Sequence, residues 1–245
     1  MKIKPWEIKE TDSRPLNNLI NVLIFTEDEV SEKYYFEWFQ NNDLKVTVFP
    51  NQKSGIKNII NIISHCEKEE IIYKSSRNGS YKIKDGFEIW SVFDKDSYRE
   101  SPNRDSDISY NIAIDYAIKS GFNVAWSNDC FELWILLHFF DEENVLDLMH
   151  RDQIYDELSK IFFEYRENKE IPLESFRYNE YFKKQVRFIN IVRFNILPNT
   201  ELAINRAERL FSKFEEKKSF SEINPCTTVF ELVKKLLSLG QKELP

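Results

Sequence analysis

Glycine is scarce in this chain, five residues in 245, and no two of them lie close together. That excludes a glycine-rich loop able to cradle phosphate through its backbone. With only eight prolines as well, no long flexible or proline-rich linker divides the sequence. Cysteine is equally sparse: Cys66, Cys130 and Cys226 are far apart and form no Cys-x-x-Cys pair, so neither a zinc cluster nor a disulfide framework is expected. Long apolar runs are missing too. The start, Met-Lys-Ile-Lys-Pro-Trp-Glu, has no signal-peptide core, and no stretch approaches the ~20 residues that cross a bilayer. The expectation is a soluble, cytoplasmic protein with no membrane partner. Positive charge is in deficit, with 34 Lys and Arg against 41 Asp and Glu for a net charge of −7. This argues against broad, sequence-independent binding to a nucleic-acid duplex. It leaves room for a metal-dependent enzyme on nucleic acid, because bound cations invert the local sign.

What is present is a sizeable core, with 42% hydrophobic residues and 15% aromatics. Asn21 to Phe25 reads as a buried strand that runs into Thr26-Glu27-Asp28-Glu29, and a helix follows from Ser31 to Gln40. Lys45 to Phe49 is a second strand, and Ser54 to Glu69 is an amphipathic helix with Ile56, Ile59, Ile60 and Ile63 on one face. Residues 70–87 are turn-rich and suggest a hairpin or loop. Ile89 to Phe93 is a third strand, Ile108 to Lys119 a helix, Phe122 to Trp126 a fourth strand, and Phe131 to Phe140 a buried helix. This alternation predicts an α/β fold with a mostly parallel sheet flanked by helices. Beyond residue 141 the pattern reads as helices, at about 151–165, 175–194, 200–217 and 227–238. The expected organisation is a leader over 1–20, an α/β domain over 21–140 and a helical C-terminal extension over 141–245.

Two strands end in acids. The third runs into Asp94-Lys95-Asp96, and the first into Glu27. An apolar strand opening into carboxylates is the usual arrangement at the carboxyl edge of a parallel sheet, where ligands bind. If the strand continues to Asp96, its period of two puts both aspartates on one side. Converging carboxylates repel one another without a cation, and Mg²⁺ prefers such hard oxygen ligands. The bland alternative makes Asp94 and Asp96 loop residues that cap the next helix.

The pairing of Leu23-Ile-Phe-Thr-Glu27 with Val92-Phe-Asp94-Lys-Asp96 resembles a Toprim domain. More narrowly, the chain is similar to the RloB family, Toprim-type proteins associated with restriction and abortive-infection loci. The likeness rests on Phe25-Thr-Glu27 with Ser31-Glu32-Lys-Tyr-Tyr-Phe36, the Asp-x-Asp, Ser127-Asn-Asp-Cys-Phe-Glu132-Leu-Trp-Ile-Leu-Leu-His138-Phe, and Asn224-Pro-Cys-Thr-Thr-Val229. It implies a Mg²⁺-dependent nuclease, with Mn²⁺ able to substitute. Glu27, Asp94 and Asp96 would be its catalytic and metal-holding residues, and Glu32 and Glu132 further candidate ligands. It also implies an RNA or DNA substrate, a role in phage defence and a partner ATPase. The family's usual glycine after the glutamate is replaced here by Asp28, which adds a side chain and a charge.

Other readings stand beside this one. The Asp-x-Asp also suits a haloacid-dehalogenase-type phosphatase with Asp94 as nucleophile, although Tyr98 stands where Thr or Val is expected. A Mn²⁺-dependent glycosyltransferase uses the same pair. A degenerate Toprim scaffold docking on an ATPase is the non-enzymatic reading, and Asp28 favours it. Glu32 can equally cap or solvate its helix, and His138 reads as a hydrogen-bonded core histidine. Ser127-Asn128-Asp129 has N-capping chemistry for the helix that follows. Lys183, Lys184 and Arg187 fall on one helical stripe and Arg206, Arg209 and Lys213 on another, and the first group sits among Tyr178, Tyr181, Phe182 and Phe188. Cations interleaved with aromatics suit single-stranded nucleic acid, while an amphipathic helix that buries Phe and exposes Lys gives the same pattern.

Overall fold

The computed structural model describes residues 19–52, 55–75, 79–95, 104–214, 216–241 and 244, the side chains of residues 104 and 105 excepted. Asp96 and most of the expected leader lie outside this set. The strands are β1 (Ile20–Phe25), β2 (Leu44–Phe49), β3 (Ile72–Lys74), β4 (Tyr81–Ile83), β5 (Phe87–Asp94), β6 (Asn123–Asn128) and β7 (Cys226–Thr227). Five of them form one sheet in the order β2-β1-β5-β6-β7, and β3 and β4 form a separate antiparallel hairpin within the turn-rich insertion. The first four strands of the large sheet are parallel, and β7 closes its edge antiparallel to β6. The expected mostly parallel α/β sheet is therefore present.

The helices are α1 (Ser31–Phe36), α2 (Ile56–Lys68), α3 (Arg104–Ser120), α4 (Glu132–Leu136), α5 (Arg151–Phe162), α6 (Tyr178–Phe182), α7 (Gln185–Arg187), α8 (Phe194–Ile196), α9 (Thr200–Ser212) and α10 (Val229–Gly240). Strand periodicity sorts the core into two layers. Val22, Ile24, Trp90 and Val92 face a large core shared with α1, α4, α5, α9 and α10. Leu23, Phe25, Ile89 and Phe93 face a smaller one built with α2 and α3. The C-terminal residues thus fill one face of the sheet and supply its last strand. Gly240 marks how closely α10 docks: a Cβ there would come 2.9 Å from Asn41 Nδ2, whose amide already donates to the Gly240 carbonyl.

Several elements differ from expectation. The helix expected over 131–140 is helical only across Glu132–Leu136, yet every residue from Leu133 to His138 is buried. A segment enclosed on all sides has no solvent-facing stripe, so its apolar run carries no record of where the helix stops. The helix expected over 175–194 is broken. Lys183 (ψ 47°) and Lys184 (φ −131°, ψ 131°) leave the helical region between α6 and α7, and a π-helical segment, Phe188–Arg193, follows. Lys183 and Arg187 therefore do not share one continuous stripe. The two-residue β7 fell within no predicted strand, because it is too short to show a period.

Candidate functional site at the acidic edge of the sheet

β1 and β5 are adjacent and parallel, so Glu27 and Asp94 leave the sheet at the same edge. β6 lies parallel on the other side of β5 and delivers Asp129 there too. Asp94 is the last residue of β5, and its Oδ2 accepts the Phe131 amide at 3.1 Å. Asp94 thus belongs to the strand and not to the loop that the bland reading gave it, while Asp96 lies outside the described residues. Beneath the edge lies Tyr110 of α3, whose buried hydroxyl donates to the Ser127 carbonyl at 3.2 Å. Burial pushes the Tyr110 phenol well above its ordinary pKa, and the charges of Asp94, Glu27 and Asp129 push it the same way. One hydroxyl thus feels all three carboxylates.

The turn from β1 into α1 is organised by Asp28. Its Oδ1 accepts the amides of Val30 and Ser31, at 2.6 and 2.5 Å, while its own amide donates to Glu32 Oε2 at 2.8 Å. This reciprocal pattern ties down free amides at the start of α1, as a capping box does. Glu32 is fully buried, and its Oε1 has no hydrogen-bond partner among the described residues. Burial raises its pKa well above the carboxylate range, reinforced by the charges of Asp28, Glu27 and Glu132 and opposed by the Asp28 amide. Glu32 thus accepts the Asp28 amide in the turn before α1 and belongs to the acidic cluster at once.

Glu132, the first residue of α4, is 1% exposed. Lys183 reaches it from the C-terminal half: its Nζ lies 2.8 Å from Glu132 Oε1 and 3.1 Å from Asp28 Oδ2. Burial alone would lower the lysine's pKa, but Glu132 and Asp28 more than offset this and hold it well above its usual value. Glu132 Oε2 and the buried Tyr178 hydroxyl have no hydrogen-bond partner among the described residues.

Ser127-Asn128-Asp129 does not cap α4, which starts without a side-chain cap. Ser127 and Asn128 end β6, where Ser127 Oγ meets Thr227 Oγ1 at 2.9 Å and Asn128 Nδ2 donates to the carbonyls of Ser221 and Ile223. Asp129 instead holds Arg151, accepting its amide at 3.0 Å and pairing with its guanidinium at 3.2 Å. These polar groups serve tertiary contacts with distant segments, which no local capping pattern reveals. His138 is the core histidine expected: 1% exposed, with Nδ1 2.8 Å from the Trp134 carbonyl and its pKa lowered by burial to about 4.

Of the basic residues singled out, Lys184 is exposed, whereas the others have acidic partners. Arg187 pairs with Glu167 and stacks on Tyr181, with its guanidinium carbon 3.9 Å from the ring centre. Arg206, Arg209 and Lys213 meet Asp141, Glu142 and Glu143 in order. The second stripe thus docks α9 on the acidic turn that follows α4. Sequence reasoning missed Tyr110, Arg151 and the inward aim of Lys183. The signature segment 127–138 carried some warning, since it concentrates polar residues in an apolar setting. Nothing local to Lys183 indicates a partner 155 positions away.

All the candidate ligands at the edge are carboxylates, the donors a hard divalent cation takes. Among the described residues no three of His, Cys, Asp and Glu form a group able to hold a metal ion between them, and Asp96 is not in that set. Mg²⁺ is commonly held by only one or two carboxylates plus water, so Glu27 and Asp94 remain chemically suited to it. No described helix is long and apolar enough to cross a membrane. Searches of curated proteins and of solved structures gave no match. The family model for RloB-like proteins matches residues 22–236, most of the chain and all of the acidic edge, and this protein belongs to the RloB-like family.

Proposed function

We propose that this protein is a divalent-cation-dependent nuclease of Toprim type, hydrolysing phosphodiester bonds of RNA or DNA at the edge formed by β1 and β5. The observation that carries the reading is the delivery of Glu27 and Asp94 to one edge by adjacent parallel strands. Glu27 and Asp94 are the residues assigned to hold Mg²⁺ or Mn²⁺, with Asp96 as the third. Such an ion, when bound, neutralises phosphate charge and acidifies a coordinated water. The chain's own contributions are orientation and proton handling. The Phe131 amide fixes one oxygen of Asp94. Tyr110 keeps its proton and locks the edge to β6 through Ser127. Glu27 is the group assigned to accept a proton at its carboxylate during attack on phosphorus. The family resemblance supports a cytoplasmic role in phage defence with a partner ATPase.

The test is cleavage of single-stranded RNA and DNA in Mn²⁺, beside hydrolysis of an aryl phosphate, for wild type, Glu27→Gln and Asp94→Asn. Polymer cleavage should fall by at least the ~10²-fold typical of a lost acid–base group in Glu27→Gln, and should vanish in Asp94→Asn. Aryl-phosphate hydrolysis lost only in Asp94→Asn, with a trapped phospho-enzyme, would assign the phosphatase chemistry instead. Assays include the partner ATPase, since an effector of abortive infection is expected to be held inactive until triggered.

A further inference from the structure

On the side of the smaller core lie α2 and α3, and each buries an inner row against the sheet: Ile59 and Ile62 on α2, Ala113, Ile114 and Ala117 on α3. A surface helix ordinarily turns charged and polar side chains outward, as α5 does with the exposed Asp156 and Lys160. The outer sides of α2 and α3 break that rule. Ile56 and Ile60 stand one turn apart on α2, 39% and 54% exposed. Ile108, Ile112 and Tyr116 follow one another at single turns on α3, 47%, 47% and 41% exposed. Between the two rows runs a groove of about 380 Å³, lined by Ile56, Ile60, Ile112, Asp115, Tyr116 and Lys119. Five large, half-exposed apolar side chains gathered at one groove form a patch, unlike the single exposed residues that need no explanation.

We propose that two copies of this chain join through this face, groove against groove about a two-fold axis, with Asp115 of each copy set against Lys119 of the other. Charge selects a second copy as the occupant. The two charged residues lining the groove are one acid and one base, so the face is neutral, whereas the whole chain carries −7. A basic partner is drawn to acidic surface and gains nothing from this face. Two identical chains of that charge repel one another over most of their surface, and a neutral apolar face is where they approach at least cost. A two-fold interface also needs a patch that complements itself, residue i meeting j while j meets i. An aspartate and a lysine one turn apart on the same helix meet that requirement. Area agrees with charge. The exposed apolar surface of the five side chains is on the order of a few hundred Å², at the upper end for a monomer. One half of a standard interface covers about 800 Å², of which roughly 60% is apolar, so the patch supplies most of the apolar part. Isoleucine suits the role, because its stiff branched side chain loses little rotamer freedom when covered. The inference does not depend on the reading of the acidic edge, since neither Glu27 nor Asp94 lines the groove.

The experiment measures the mass of the full-length chain by sedimentation equilibrium between about 0.1 and 100 μM, a range that reaches past the micromolar limit of standard-sized interfaces. Wild type should form a dimer with a micromolar or tighter dissociation constant. Ile112→Lys and Ile60→Lys each place two like charges in one interface, and each should raise that constant at least ~10²-fold. Phe194→Lys, at a site 72% exposed on α8, should leave it unchanged. Asp115→Lys should weaken the dimer, and adding Lys119→Asp should restore it, because the exchange preserves the pairing. A wild-type chain that stays monomeric throughout overturns the proposal, even if another protein covers this face. So does a dimer that survives both isoleucine variants, or one that Phe194→Lys disrupts equally. Failure of the exchanged pair to restore the dimer overturns the Asp115–Lys119 register. If the isoleucine variants do not fold, hydrogen exchange on the wild type decides. Amides of α2 and α3 should exchange more slowly at the high concentration than at the low one, and slowing confined to other elements overturns the proposal.

Discussion

Two sets of cations from the C-terminal residues meet acids earlier in the chain, and they do so in different environments. Arg206, Arg209 and Lys213 form a ladder with Asp141, Glu142 and Glu143 in which each pair keeps one partner in solvent, Asp141 62%, Arg209 53% and Glu143 66% exposed. Lys183, in contrast, enters the sheet edge to meet Glu132, which is 1% exposed. The ladder is an orientation device: exposed pairs contribute little each and are screened by salt. The buried contact is different in kind. Removing charge from water costs several kcal/mol per ion, and apolar residues would serve packing as well or better. The same residue types thus make a costly buried contact at the carboxyl edge of the sheet and a partly solvated docking contact on α9.

The largest effect should come from breaking the buried pair. Lys183→Met leaves Glu132 and Asp28 facing each other uncompensated, and urea unfolding without metal should show a loss of about 3 kcal/mol, near the low end for a broken buried pair because Lys183 and Asp28 keep some solvent. Restoring neutrality with the added Glu132→Gln should recover most of it. A loss below that of a ladder residue would erase the distinction between the two regions.

His138 sharpens the comparison, being a buried base with no acidic partner among the described residues. Where Lys183 is raised by its carboxylates, His138 is pushed down to about 4 by burial. The unfolded chain binds this proton below the ordinary value near 6.5, and the folded chain does not. Stability from this group is therefore complete above about pH 6.5 and is lost as the pH falls toward 4. The full range is worth on the order of 3 kcal/mol. Unfolding free energies from pH 7 to 4.5 should fall less steeply for His138→Gln than for wild type. Equal slopes would mean that the histidine is not buried in its neutral form.

The smallest effect belongs to the ladder. Arg209→Ala removes a two-pronged bond to Glu142, made at 2.6 and 2.8 Å. Exposure should hold the loss to under about 1 kcal/mol, shrinking further in high salt, as thermal melts at two ionic strengths would show. A larger, salt-independent loss would move α9 into the same class as Lys183.

Two strands of the sheet were legible in the sequence because each runs abruptly from apolar residues into acids. β1 stops before Thr26-Glu27-Asp28, and β5 stops at Asp94, so the apolar-to-acidic switch marks both the element and the edge. The helices α2 and α9 were legible because one face is wet and a period of 3.6 survives. The limits of α4 were hidden, since a fully enclosed segment is apolar all round, and so was the break between α6 and α7, which no proline or glycine signals. Sequence alone determined the carboxylates at the strand ends and the family to which they belong. Only the tertiary structure decided that Lys183 points inward, that Asp129 holds Arg151 rather than a helix end, and that Asp28 anchors a cation. The physical reason is distance along the chain. Local pattern records how a residue meets its neighbours within a turn or a strand, whereas an ion pair across 155 residues exists only once the sheet has formed and the C-terminal helices have packed on its face.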